Sequence, residues 1–141
     1  MKNSIVQAYL NFDGKCDDAL AFYKRALGAE LQMLMRFKDS PEPPPPGCPP
    51  PSPEKVMHAQ FCVGDTVLMA SDGRGSGKPS FQGVSLALTV PTEAEADKAF
   101  NALAEGGQVQ MPLAKTFFSA RFGMVADKFG ISWMILVTPN S

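Results

Sequence analysis

Residues Ala21 to Met33 read AFYKRALGAELQM, and residues Ala99 to Met111, 78 positions further on, read AFNALAEGGQVQM. Ala21, Phe22, Ala26, Gly28, Gln32 and Met33 fall on identical residues in one register. In the first copy Cys16, Ala19, Leu20, Tyr23, Ala26 and Leu27 recur at helical spacing and draw one apolar stripe down a helix. Asp13 is placed to cap its start, and Gly28 suits the position just past its end. In the second copy Thr92 and Glu95 form a capping-box pattern, Ala96, Ala99, Phe100 and Leu103 make the stripe, and Gly106 ends it.

Outward from both helices the chain alternates at strand period. Ile5 to Phe12 puts Val6, Ala8, Leu10 and Phe12 on one side and Gln7, Tyr9 and Asn11 on the other. At the same offset of 78, Val84, Leu86, Leu88 and Val90 stand opposite Ser85, Ala87 and Thr89, and Pro91 stops the strand. Glu30 to Phe37 predicts a strand after the first helix. Val56 to Val63 and Thr66 to Ser71 predict a hairpin about Gly64-Asp65. After the second helix the pattern gives strands around Gln108 to Met111, Ala120 to Ala126 and Ile131 to Val137, with a turn at Asp127 to Gly130. In the later strands the offset falls to 62, where Val63 and Asp65 meet Val125 and Asp127. The chain is thus read as two βαβββ modules, 1–75 and 82–141, within a single domain of 1–141.

The change of offset comes from DSPEPPPPGCPPPSPEK, residues 39–55, which hold nine of the 13 prolines. Missing amide donors and a fixed φ forbid helix and central strand there, so it is read as an enlarged loop of the first module, not as a domain linker. Pro43 to Pro46 contains a PxxP pattern, but a stiff polyproline-II loop is the simpler reading. The 13 basic and 14 acidic residues are interspersed, for a net charge of −1, which removes a bulk electrostatic case for nucleic-acid or anionic-membrane partners. No apolar run is long enough to span a bilayer, and Met1 to Ser4 does not open a signal peptide, so the expected location is cytoplasmic. Three cysteines, Cys16, Cys48 and Cys62, show no CxxC spacing and read as reduced thiols, Cys62 as a small buried hydrophobe and Cys48 as the more exposed.

The paired plan and several local strings resemble the PhnB-like branch of the vicinal-oxygen-chelate superfamily, which includes glyoxalase, bleomycin-resistance and extradiol-dioxygenase proteins. The strings are Tyr9 to Cys16, Ala21-Phe22-Tyr23 with Gly28-Ala29-Glu30, Leu68 to Asp72, Ser76-Gly77-Lys78 with Phe81 and Gly83, Thr116 to Phe118, Phe122-Gly123, and Asp127 to Met134. The resemblance implies an α+β fold in which the two βαβββ modules form a cupped, mixed and largely antiparallel sheet. It also implies a homodimer and a small-molecule ligand. Some members of the branch carry a demethylubiquinone methyltransferase name, yet no glycine-rich strand-to-helix turn suited to a nucleoside cofactor is visible. Laid on this chain, the superfamily's metal-ligand positions are Gln7, Met69, Ser85 and Met134. An amide, two thioethers and a hydroxyl are a poor donor set for a divalent ion, so neither metal nor cofactor is expected. A metal-dependent lyase, isomerase or dioxygenase with different ligands, and a dimeric interaction module, stay open as alternatives.

The candidate ligand-binding residues are Gln7, Tyr9, His58, Met69, Ser85, Phe118, Arg121 and Met134. The strand residues turned from the helices either line a ligand site or form a solvated face. His58, the sole histidine, is either an acid or base or a polar residue satisfied by a neighbour. Arg121, among Phe117, Phe118 and Phe122, either forks onto a ligand anion or makes an interface or intramolecular ion pair. Met33, Met35, Met69, Met124 and Met134 read first as core filling, with a soft pocket wall as the alternative for Met69 and Met134. Asp72 to Pro79 invites a phosphate-loop reading that fails: Asp72 and Pro79 stand where glycine and a hydroxyl residue belong, and a strand follows instead of a helix. Lys78 there is read as solvated.

Overall fold

The computed structural model describes residues 1–41, 52–73 and 79–138. The Pro43 to Pro46 pattern, Cys48 and Lys78 lie outside these. The chain divides into two compact units, Met1–Pro79 and Ser80–Ser141. The first runs β1 (Tyr9–Asn11), α1 (Cys16–Leu27), β2 (Glu30–Arg36), β3 (Val56–Val63) and β4 (Thr66–Ser71). The second runs β5 (Ser85–Val90), α2 (Glu93–Ala104), β6 (Gln108–Ala114), β7 (Phe122–Ala126) and β8 (Ser132–Val137). The sheet orders are β1-β4-β3-β2 and β5-β8-β7-β6. In both, the first and last strands pair parallel and the other pairs are antiparallel, so each sheet is mixed. Among the described residues no helix is long and apolar enough to cross a membrane.

In the first unit the stripe of α1 buries Cys16, Ala19, Phe22, Tyr23 and Ala26. Phe22 takes a core place that the periodicity gave to Leu20 and Leu27, which are half-buried. The Tyr23 ring stacks on Phe61 of β3 at 6.0 Å and meets Phe12 at 6.1 Å. Each such aromatic, fully buried, contributes about 2–3 kcal/mol from apolar burial alone. Gly28 ends α1 at φ 68°, where a side chain would be strained, and its N–H closes on Lys24 O.

Asp13 does not cap α1. The N-cap is Lys15, with no side-chain cap bond, and Asp13 itself sits at φ 50°. The capping carboxylate comes from Asp72, just past β4 and 2% exposed. The Gly14 and Cys16 N–H groups donate to its Oδ1 at 3.0 and 2.7 Å, and the Val56 N–H donates to its Oδ2 at 2.7 Å. One buried side chain thereby ties the start of α1 to the start of β3 and the end of β4.

β1 is shorter than its alternation predicts. Leu10 and Phe12 are buried as expected, but Ile5 and Val6 are 78% and 99% exposed. The Gln7 side-chain amide donates to Val67 O at 3.1 Å, taking a carbonyl that a longer ladder would use. β2 gives way to a 3₁₀ turn at Phe37–Asp39. There the Phe37 and Lys38 amides donate to Lys55 O and Pro53 O, which closes the neck of the proline segment. Arg36 braces that neck, with its two terminal nitrogens on the Asp17 carboxylate at 2.8 and 2.9 Å and Nη1 also on Glu54 O at 2.7 Å. The guanidinium holds the Asp17 carboxyl below its ordinary range.

In the second unit Thr92 Oγ1 accepts the Glu95 N–H at 3.2 Å, as the capping box predicts, and Ala96, Ala99, Phe100 and Leu103 are buried. Gly123 of β7 lies directly beneath α2: a Cβ there would stand 2.9 Å from Phe100 Cε2. β6 reaches Ala114, beyond the predicted Met111, despite Pro112. A proline is tolerated because β6 is an edge strand whose register slips on both sides of Met111. Val84, predicted for the helix side, precedes β5 and is exposed.

Burial pushes the Cys16 thiol up to about 12, with the nearby Asp72 and Asp17 charges adding to the effect. The unfolded thiol ionises near 9.0, so the unfolded chain loses this proton first as pH rises. Its contribution to stability is complete below pH 9 and fades between pH 9 and about 12, by up to ~1.4 kcal/mol per pH unit. In a Cys48→Ser, Cys62→Ser background, native Cys16 should resist a thiol reagent at pH 8 and react only on unfolding. Cys16→Ala should flatten urea-unfolding stability across that alkaline window.

Candidate functional site

Helix α1 covers one face of the first sheet. Along β3 the buried residues Ala59, Phe61 and Val63 alternate with half-buried His58, Gln60 and Cys62, and along β4 buried Leu68 and Ala70 flank half-buried Met69. The alternation sends the second set to the opposite, open face. Cys62 is therefore half-buried on that face, with its thiol 3.6 Å from Gly64 O, and is not the buried hydrophobe expected from its neighbours.

The register assembles this face across four strands. Tyr9 of β1 is opposite Met69 of β4, Met69 is opposite Gln60 of β3, and Gln60 is opposite Met33 of β2. Alongside that row His58 stands opposite Met35. Tyr9, half-exposed, leans across β4 to put its hydroxyl 3.1 Å from His58 Nδ1, the ring centroids being 5.6 Å apart. A phenol hydrogen-bonded to an imidazole beside the thioether side chains of neighbouring strands is equipped to orient a small, largely apolar molecule. Gln7 lies at the margin, its amide nitrogen engaged on Val67.

The open face of the second sheet repeats the methionine pattern without the polar pair. Ala87, Met134, Met124 and Met111 are successive cross-strand neighbours. Ser85 is exposed and stands opposite Ser132, two positions along β5 from the Ala87–Met134 pair. Phe118 meets Phe122 edge-on at 5.1 Å and Phe117 at 5.1 Å, and Phe117 is 100% exposed. Met33, Met35, Met69, Met124 and Met134 are thus half-buried or exposed side chains of the open faces, and the core-filling reading is overturned.

Arg121 does not join the phenylalanines. Its guanidinium turns to α2, with Nε 3.3 Å from Glu93 Oε1 and a terminal nitrogen 3.6 Å from Asp97 Oδ2. The Nε contact is an ion pair without hydrogen-bond alignment. These acids take the charge that an anionic ligand would have used.

A family model described as 3-demethylubiquinone-9 3-methyltransferase matches residues 4–136. The chain belongs to that family. It is the PhnB-like branch whose strings the sequence carries. YjdN of Escherichia coli K12 is 39% identical over 136 residues, covering 92% of each chain. The crystal structure of PA1353 from Pseudomonas aeruginosa superposes with TM-score 0.82 at 42% identity, over 98% of this chain and 100% of that one. A PhnB protein from Bacillus cereus gives TM-score 0.78 at 28% identity, over 96% and 100%. A glyoxylase/bleomycin resistance/dioxygenase domain from Frankia, at 14% identity and TM-score 0.62 over 100% and 96%, shares the fold.

The superfamily implies a divalent metal and the family's name implies a methyl donor. The residues fit neither. The positions that the resemblance assigns to metal ligands hold an amide at Gln7, thioethers at Met69 and Met134 and the hydroxyl of Ser85, and among the described residues no three His, Cys, Asp or Glu side chains are grouped to hold an ion. At the turn from β1 into α1, where a nucleoside cofactor would place its anionic group, the Asp72 carboxylate already receives the Gly14 and Cys16 amides. The turn from β5 into α2 is Pro91-Thr92, with no glycine.

Proposed function

We propose that this PhnB-like protein binds a small, mostly apolar molecule on the open face of its first sheet and acts there without a divalent metal. The carrying observation is the Tyr9–His58 hydrogen bond set beside Met69, Met33 and Met35 on the face that α1 leaves uncovered. A half-exposed patch of soft side chains with one convergent polar pair is the usual make-up of a ligand site. The thioethers adapt to ligand shape, while the Tyr–His pair fixes orientation.

A thermal-shift screen of small aromatic compounds tests the reading, because a ligand that binds only the native state must raise the midpoint. Met69→Glu places a charge at the centre of the face, on a half-buried side chain that the core does not need. The variant should melt within about 3 °C of the parent and lose at least about tenfold in affinity for any compound the parent binds. Undiminished binding in Met69→Glu would place the site elsewhere.

A further inference from the structure

We infer that Gln60 sets the specificity of the open face, selecting uncharged aromatic ligands that carry a lactam edge, an N–H beside a C=O. The inference rests on that face being the binding surface. It starts from the internal repeat. Across the first sheet the row of cross-strand neighbours runs Tyr9, Met69, Gln60, Met33, and across the second it runs Ala87, Met134, Met124, Met111. The rows differ at two places: Tyr9 stands where the second has Ala87, and Gln60 where it has Met124. A methionine meets the needs of the fold at the central place, so packing does not account for the carboxamide. The Tyr9 hydroxyl is already engaged, 3.1 Å from His58 Nδ1. Among the described residues the half-buried Gln60 carboxamide makes no hydrogen bond, and neither its oxygen nor its nitrogen is sealed from solvent.

A primary carboxamide carries its acceptor oxygen and one N–H side by side on a single planar edge. The free edge of a lactam offers the reverse order, so the two close a pair of parallel hydrogen bonds. Rotating the carboxamide about its last carbon–carbon bond exchanges oxygen and nitrogen, and the ligand then docks turned over with the same two bonds. The body of the ligand extends over Met69 or Met33, the cross-strand neighbours of Gln60, whose sulfur favours contact with an aromatic ring. An N-methyl lactam keeps the acceptor but loses the donor, which leaves the Gln60 oxygen unmatched. A carboxylate brings acceptors alone and a charge that no residue of the Tyr9–Met69–Gln60–Met33 row balances.

Two probes with one aromatic body test the inference: 2-quinolone and 1-methyl-2-quinolone, titrated at neutral pH by calorimetry. The parent should bind 2-quinolone at least about tenfold tighter than its N-methyl derivative. Gln60→Met installs the residue that the second unit carries at the same place, so it should melt within about 3 °C of the parent. In that variant the 2-quinolone affinity should fall to that of the N-methyl derivative, which itself should bind as it does to the parent. Equal affinity of the two probes in the parent would overturn lactam selection while leaving the binding face intact. Selectivity that persists in Gln60→Met would overturn the role of Gln60. Binding of both probes that Met69→Glu leaves undiminished would overturn the binding face and the inference with it. Binding of neither would overturn the inference alone, the face being tested separately by the thermal-shift screen.

Discussion

Asp72→Ala should lose about 3–5 kcal/mol of stability in urea unfolding followed by far-ultraviolet circular dichroism. The substitution removes the shared acceptor of the Gly14, Cys16 and Val56 amides in a setting where the side chain is 2% exposed. Hydrogen bonds to a charged acceptor contribute about 1.5–3 kcal/mol each, and stranded buried amides add their desolvation cost. The three bonds share one carboxylate, so their energies do not sum independently. Asp72→Asn should fall in between, because one oxygen remains for Gly14 and Cys16 while an NH₂ group now faces the Val56 N–H. A loss below about 1 kcal/mol in Asp72→Ala would mean the carboxylate does not anchor the first unit.

The second unit has a counterpart in Asp127, 3% exposed. Its Oδ1 accepts the Phe129 and Ile131 amides at 2.9 and 3.1 Å, and its Oδ2 accepts the Trp133 indole N–H at 2.9 Å. Asp127→Ala should cost about 3–5 kcal/mol by the same argument. Trp133 is the sole tryptophan, so its fluorescence reads this unit directly. The emission of Asp127→Ala should move to the red as the indole loses this hydrogen bond and admits water. Trp133→Phe keeps an apolar ring but gives up the indole bond and some volume, and should cost about 2 kcal/mol. Equal stability of Asp127→Ala and the parent would contradict the role assigned to the carboxylate.

The elements that local spacing controls were legible in the sequence. Both helices, the Gly64-Asp65 hairpin and the Thr92 cap depend on residues a few positions apart, and the structure returns them nearly at the expected bounds. Contacts that close over long separations were not legible. In the sequence Asp72 stands out only as a residue out of place in a phosphate loop, because the α1 amides it caps lie 56 and 58 positions away. Tyr9 and His58 are each visible as candidates in the sequence, but their bond spans 49 positions and crosses an intervening strand that sequence order does not reveal.

Two further outcomes follow from strand geometry. Consecutive residues entering a strand turn to opposite sides, so Arg121 lies away from Phe122 and makes the intramolecular ion pair, one of the readings open for it, with Glu93 and Asp97. Apolar character and strand spacing point the methionines to the core. Alternation alone does not say which face of a sheet receives the helix.

The most direct test of the account uses protein labelled with ¹³C at the methionine methyl groups, all eight of them, titrated with a small aromatic compound that raises the thermal midpoint and read by NMR. The account predicts that the Met69, Met33 and Met35 signals move together along one binding curve while Met1 stays fixed. Saturable binding with those three signals unmoved would contradict it.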